Sequence, residues 1–128
     1  MEVRRRQRFS EYIEVRVPTR DRKGRPVPAS KQREWRHRLK DFLLNDLGTT
    51  GSEDWEVQAT WVGAYDPGTG TFRQQQERSL ILKAYCTPAQ RRAFRHRGEA
   101  LLIEMGRALH QEAVAYATRD GLEILYLD

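Results

Sequence analysis

Two hydrophobic periods alternate along this chain in a fixed order, and that order limits what it can fold into more than any other feature. Ile13, Val15 and Val17 recur at every second position with Tyr12, Glu14 and Arg16 between them, the pattern of a half-buried strand ended by Pro18. Trp35, Leu39, Phe42, Leu43 and Leu47 then fall at i, i+4, i+7, i+8 and i+12. That spacing draws one stripe of an α-helix over residues 29–47, with Gly48 as its stop. A second alternation follows in Trp55, Val57, Ala59 and Trp61. Asp66-Pro67-Gly68-Thr69-Gly70 reverses the chain into a third strand that ends near Cys86 and is most apolar at Leu80, Ile81 and Leu82.

Thr87-Pro88-Ala89-Gln90 has the form of a helix start, with a hydroxyl cap, proline in the first turn and a glutamine three residues after the cap. Phe94, Leu101, Leu102, Met105 and Leu109 line the inner stripe of that helix. Gly98 shares the stripe, where a neighbouring helix or strand is expected to approach closely. Two short strand-like runs, Ala113 to Thr118 and Leu122 to Leu127, flank the hairpin signal Asp120-Gly121.

The order β-α-β-β-α-β with a C-terminal hairpin strand specifies an α+β chain. Right-handed crossovers then favour a ferredoxin-like two-layer sandwich, an antiparallel sheet with two helices on one face. Residues 10–128 are expected to form one domain and residues 1–9, with Arg4, Arg5, Arg6 and Arg8, a flexible basic arm. Antiparallel helices would bring the arginines of the second helix near Asp41 and Asp46 of the first and neutralise part of the charge. No apolar run is long enough for a membrane span and no apolar signal core follows the N-terminus, so a cytoplasmic location and no membrane partner are expected. Cys86, the lone cysteine, reads as a buried thiol at a strand end.

The formal net charge is +5, but residues 1–40 carry +9 and residues 41–128 carry −4. Basic character concentrated in the N-terminal third points to an anionic partner, with Arg4, Arg5, Arg6, Arg22, Lys23 and Arg25 as the nucleic-acid-binding candidates on flexible backbone. The expected function is therefore a small non-enzymatic accessory or regulatory module contacting nucleic acid or a nucleoprotein. The aromatic signature of RNA-recognition motifs is missing from Ser79-Leu80-Ile81-Leu82-Lys83-Ala84-Tyr85, so that family is not implied.

Two other readings compete. The sheet face away from the helices, with Tyr12, Tyr65, Phe72 and Tyr85, or the edge hairpin with Tyr116, Ile124, Tyr126 and Leu127, offers an interface for a protein partner or a homodimer. A small enzyme would use His110 and Glu112 as general acid and base where the second helix meets the fourth strand, whereas His37 and His96 sit among arginines and are expected to face water. No phosphate-binding glycine loop, nucleophile elbow or metal-spaced ligand set appears. Neither cofactor nor metal is expected.

Overall fold

A computed structural model describes residues 2–127, with the backbone alone for residues 61–65, 73 and 75; the side chains of Trp61 and Tyr65 therefore lie outside the described residues. The first alternating run forms β1 (Glu11–Pro18), in which Ile13, Val15 and Val17 are buried and Tyr12, Glu14 and Arg16 only partly so. It becomes the middle of a five-stranded antiparallel sheet. Its neighbours are β3 (Thr71–Cys86), which follows β2 (Gly51–Asp66), and β4 (Ala113–Thr118), which precedes β5 (Gly121–Tyr126). The strand order is β2-β3-β1-β4-β5. This is the ferredoxin-like order with β5 added at one edge, as the alternation of periods implied.

Register fixes which residues share a face. Val15 lies opposite Leu82 on one side and Tyr116 on the other, so their side chains meet on the face the helices cover. The apolar stripe of the first helix is buried there as a unit: α1 (Ala29–Asp41) contributes Trp35 and Leu39. A wider π-helical turn, Phe42–Asp46, contributes Phe42 and Leu43. The second helical rod begins with the anticipated cap. Gln90 N–H donates to the Thr87 hydroxyl at 3.2 Å, and Thr87 N–H donates to Gln90 Oε1 at 2.9 Å, satisfying two end donors of α2 (Pro88–Ala93).

A π-helical turn, Phe94–Gly98, joins α2 to α3 (Glu99–Ala108). Gly98 is not the close approach to another element that its position on the stripe suggested. A Cβ there would stand 2.2 Å from the ring of Phe94, one turn back on the same rod. The missing side chain lets that ring fold down over the helix into the core, edge-on to Phe42 at 6.2 Å and to Tyr116 at 5.0 Å between centroids. Gly106 is the true close approach, because a Cβ there would reach Val114 Cγ1 at 2.6 Å and Leu127 Cδ1 at 2.4 Å. Phe94, Leu102 and Met105 are all at most 1% exposed, and burying each such side chain contributes about 1.5–3 kcal/mol.

Two regions go beyond the sequence reading, although β3 runs from the turn to Cys86 as expected. β2 and β3 are each 16 residues long, and the pairing of β1 with β3 ends at Pro18 opposite Ser79. Residues 58–66 and 71–78 thus continue as a two-stranded ribbon beyond the body of the sheet, with a bulge between Val62 and Tyr65. The basic segment after β1, read as an aperiodic loop, is folded on Asp21. Its carboxylate accepts N–H bonds from Lys23 at 2.8 Å and Arg25 at 2.9 Å, and Val27 N–H closes on the Thr19 carbonyl at 2.8 Å. Residues 2–10 carry no regular secondary structure, and no described helix is long and apolar enough to cross a membrane.

Candidate functional site

The stripe of α1 next to its buried one carries Ala29, Gln32, Arg33 and Arg36 at i, i+3, i+4 and i+7. It overhangs the ribbon where Glu56 pairs with Leu80 and Gln58 with Arg78, and between them lies a cleft of about 350 Å³. Thr19, Ser79 and Leu80 complete its lining. Its volume is at the small end of ligand clefts, and its walls mix apolar surface with the charged groups of Arg33, Arg36, Glu56 and Arg78.

Backbone contacts hold the walls in place. The hydroxyl of Thr19 donates to the Arg78 carbonyl, and Gln32 Nε2 donates to the Val27 carbonyl at 2.8 Å. Behind the cleft, the carboxylate of Glu77 accepts the N–H groups of Thr19 at 2.9 Å and Arg20 at 3.2 Å, fixing the end of β1 to β3. Burial pushes the Glu77 carboxyl above its ordinary 4.5, while those two N–H groups and the charge of Arg20 pull the other way. Arg36, also on the lining, is committed to an ion pair with Asp54. Among the described residues, Arg33, Arg78 and Glu56 make no side-chain ion pair or hydrogen bond. Arg33 of α1 and, on the strand wall, the diagonal neighbours Arg78 and Glu56 give the cleft two guanidiniums and one carboxylate, a set that suits a zwitterion.

None of these four charged residues belongs to the set read from the sequence. Arg4, Arg5 and Arg6 are exposed on the segment without secondary structure, and Arg22 and Lys23 are exposed on the loop after β1. Arg25 is bound to Asp21 at 2.9 Å on that loop, where its two N–H bonds and the Arg25 guanidinium outweigh partial burial and hold the Asp21 carboxyl below its ordinary value. Among the described residues no ion pair or hydrogen bond joins Arg4, Arg5 or Arg6 to this loop. His110 is exposed, and its φ of 54° makes it the left-handed end of the second rod, its carbonyl accepting from Arg22 N–H at 2.9 Å. That is a turn-forming role, and Glu112 beside it is exposed too. His37 and His96 are exposed, as expected.

The antiparallel rods do neutralise one another in part, through Arg97 and Asp46 at 3.8 Å and Arg38 and Glu104 at 3.0 Å. Arg91 instead bridges Glu11 at 2.9 Å and Asp120 at 2.7 Å. Cys86 is buried, and burial, aided by the charge of Glu11, pushes its thiol up to about 11, too high for a reactive thiolate near neutral pH. No group of three His, Cys, Asp or Glu side chains placed to hold a metal occurs among the described residues.

No family model and no curated protein matches the sequence. Solved structures do share its fold. A phage SAM lyase in complex with S-methyl-5'-thioadenosine superposes with a TM-score of 0.62 at 9% identity, covering 98% of this chain and 97% of its own. A phage SAM lyase in the apo state gives 0.60 at 11% identity, covering 99% and 98%. A Bacillus cereus protein related to NIF3 aligns over 28% of its length at a TM-score of 0.40 and 19% identity. These likenesses correct one expectation. The non-enzymatic module engaging nucleic acid through residues 1–40 gives way, because the chains that match this fold from end to end are those of an enzyme.

Proposed function

We propose that this chain is a small enzyme of the SAM-lyase kind, which breaks a carbon–sulfur bond of S-adenosylmethionine and releases S-methyl-5'-thioadenosine, with the cleft under α1 as its substrate site. One observation carries the reading: the superposition on phage SAM lyase is nearly complete in both directions, so the likeness spans the whole architecture and not a shared motif.

The chemistry asks little beyond positioning. The sulfur of the substrate is positively charged, so the electron pair of the breaking bond goes to a neutral thioether leaving group. The carbon left behind is satisfied by a nucleophile within the same substrate or by loss of a neighbouring proton. Holding the amino-acid end in one conformation supplies much of the rate. In the cleft, Arg33 and Arg78 would take the carboxylate in charge-assisted bonds, and Glu56 would oppose the ammonium or the sulfonium.

The test is release of S-methyl-5'-thioadenosine from S-adenosylmethionine by the purified chain, followed by chromatography. Release well above the protein-free rate is expected. Glu56→Gln and Arg78→Ala should each lower it roughly tenfold or more, since each removes a charge-assisted contact of about 1.5–3 kcal/mol. A folded chain that releases no thioether above background would overturn the assignment.

A further inference from the structure

We propose that the cleft under α1 also acts on sulfonium amino acids that carry no adenosine, S-methylmethionine being the simplest, and releases dimethyl sulfide from them. The inference rests on the lyase reading above and extends it to a wider class of substrate. The groups the cleft leaves open to a ligand answer to the amino-acid end. Arg33, Arg78 and Glu56, which make no side-chain ion pair or hydrogen bond among the described residues, supply counter-charges for a carboxylate and an ammonium.

The other polar side chains of the lining are already spent within the chain. The Thr19 hydroxyl donates to the Arg78 carbonyl, Gln32 Nε2 donates to the Val27 carbonyl at 2.8 Å, and Arg36 is paired with Asp54. Ser79 is only 2% exposed. A purine ring is ordinarily gripped by aromatic or broad apolar surfaces, and the described lining offers it Ala29 and Leu80. At about 350 Å³ the cleft houses the amino-acid end with its sulfonium and leaves an adenosyl group at the mouth. Recognition therefore falls on the part that S-methylmethionine shares with S-adenosylmethionine.

Bond breaking does not call for the adenosyl group either. The bond between Cγ and sulfur breaks with its electron pair going to sulfur, which departs as neutral dimethyl sulfide. A carboxylate oxygen of the same molecule forms the new bond to Cγ and closes a lactone that keeps its ammonium. One net positive charge stands before and after, so no oxidant, reductant or further proton enters. Holding the carboxylate between Arg33 and Arg78 fixes the conformer from which that oxygen reaches Cγ.

The full chain is incubated with S-methylmethionine and, in a parallel arm, with S-adenosylmethionine, with dimethyl sulfide and S-methyl-5'-thioadenosine each measured by chromatography. Dimethyl sulfide is expected with a kcat/KM within about a hundredfold of that for S-adenosylmethionine. Arg78→Ala and Glu56→Gln should lower both reactions by the same factor, to within about threefold, because both substrates lose the same contacts. Thioadenosine release with dimethyl sulfide absent, or more than about a hundredfold slower, would overturn this proposal and leave the lyase assignment standing. Dimethyl sulfide without thioadenosine would uphold the amino-acid-end site and remove the adenosyl substrate. Release of neither would sink both. Variants that slow the S-adenosylmethionine reaction alone would also overturn the proposal, since the two substrates would then not share these contacts.

Discussion

The two faces of the sheet are built from the same strands in the same register, yet they solve different problems. On the helix side, Val15, Leu82 and Leu102 are 0% exposed and pack with Phe94 and Tyr116 in one core. On the other side the strand neighbours of Val15 and Leu82 are Glu14, Arg16 and Lys83, each partly open to solvent, and Ile81, 3% exposed. Alternation along a strand sorts residues between faces but does not say what covers each. The helix face is closed by this chain's own helices; among the described residues no helix covers the other.

The comparison breaks first at its buried end. Phe94→Ala should cost about 3–5 kcal/mol, since the ring is 1% exposed and its loss leaves Phe42 and Tyr116 facing a cavity. Tyr126→Ala on the open face should shift the unfolding midpoint of the dilute chain by no more than about 0.5 kcal/mol. Urea titrations of both variants check the contrast, and similar costs would mean that the open face is held within the monomer.

Gly106→Ala tests how closely the second rod sits on β4. The added methyl meets Val114 Cγ1 at 2.6 Å and Leu127 Cδ1 at 2.4 Å. Leu127 has a free end and can turn aside, but Val114 is β-branched and fixed in a strand, so the helix itself must lift. A loss of about 1–3 kcal/mol is expected in the same titration. Gly98→Ala should also destabilise, through displacement of the Phe94 ring.

The sequence made the sheet and both helical rods legible because their burial is periodic, and the cap at Thr87 because its chemistry is local. The turn over residues 66–70 implies a third strand running to near Cys86, and β3 runs there; the sequence does not show how far it and β2 extend past β1. Phe72-Arg-Gln-Gln-Gln-Glu-Arg78 has no apolar alternation, and its strand form comes from backbone pairing with β2. The cleft was invisible for a different reason. Gln32, Arg33 and Arg36 look like an ordinary solvated stripe until Glu56 and Arg78, more than 20 residues away, are brought beneath them. The only available hint was that the stripe adjoins the buried one. Counting charge by segment drew attention to Arg22, Lys23 and Arg25 instead, although Asp21 organises that loop from within.

At the start of the second rod, Thr87→Ala should cost about 1 kcal/mol, because it removes the acceptor for Gln90 N–H. Thermal unfolding followed by circular dichroism reads this. Thr87→Ser, which keeps the hydroxyl, should recover most of the loss. Failure of the serine to recover it would show that packing of the threonine methyl, and not capping, sets the effect.

The smallest effect expected belongs to Glu77, which is 6% exposed where the end of β1 meets the ribbon. Burial raises its carboxyl above 4.5, so the folded chain holds that proton to a higher pH than the unfolded chain does. Protonation therefore favours the fold, and stability contributed by this group declines as the pH climbs from about 4.5 through the raised value. Glu77→Gln keeps the Oε1 acceptor for Thr19 and Arg20 and has no charge to bury. Its unfolding midpoint should equal or exceed that of the wild type at pH 7, and its slope just above pH 4.5 should be flatter. A variant less stable than wild type at pH 7 would mean that attraction between the carboxylate and Arg20 outweighs the cost of burial, making the junction of ribbon and sheet an electrostatic clasp rather than a hydrogen-bonded one.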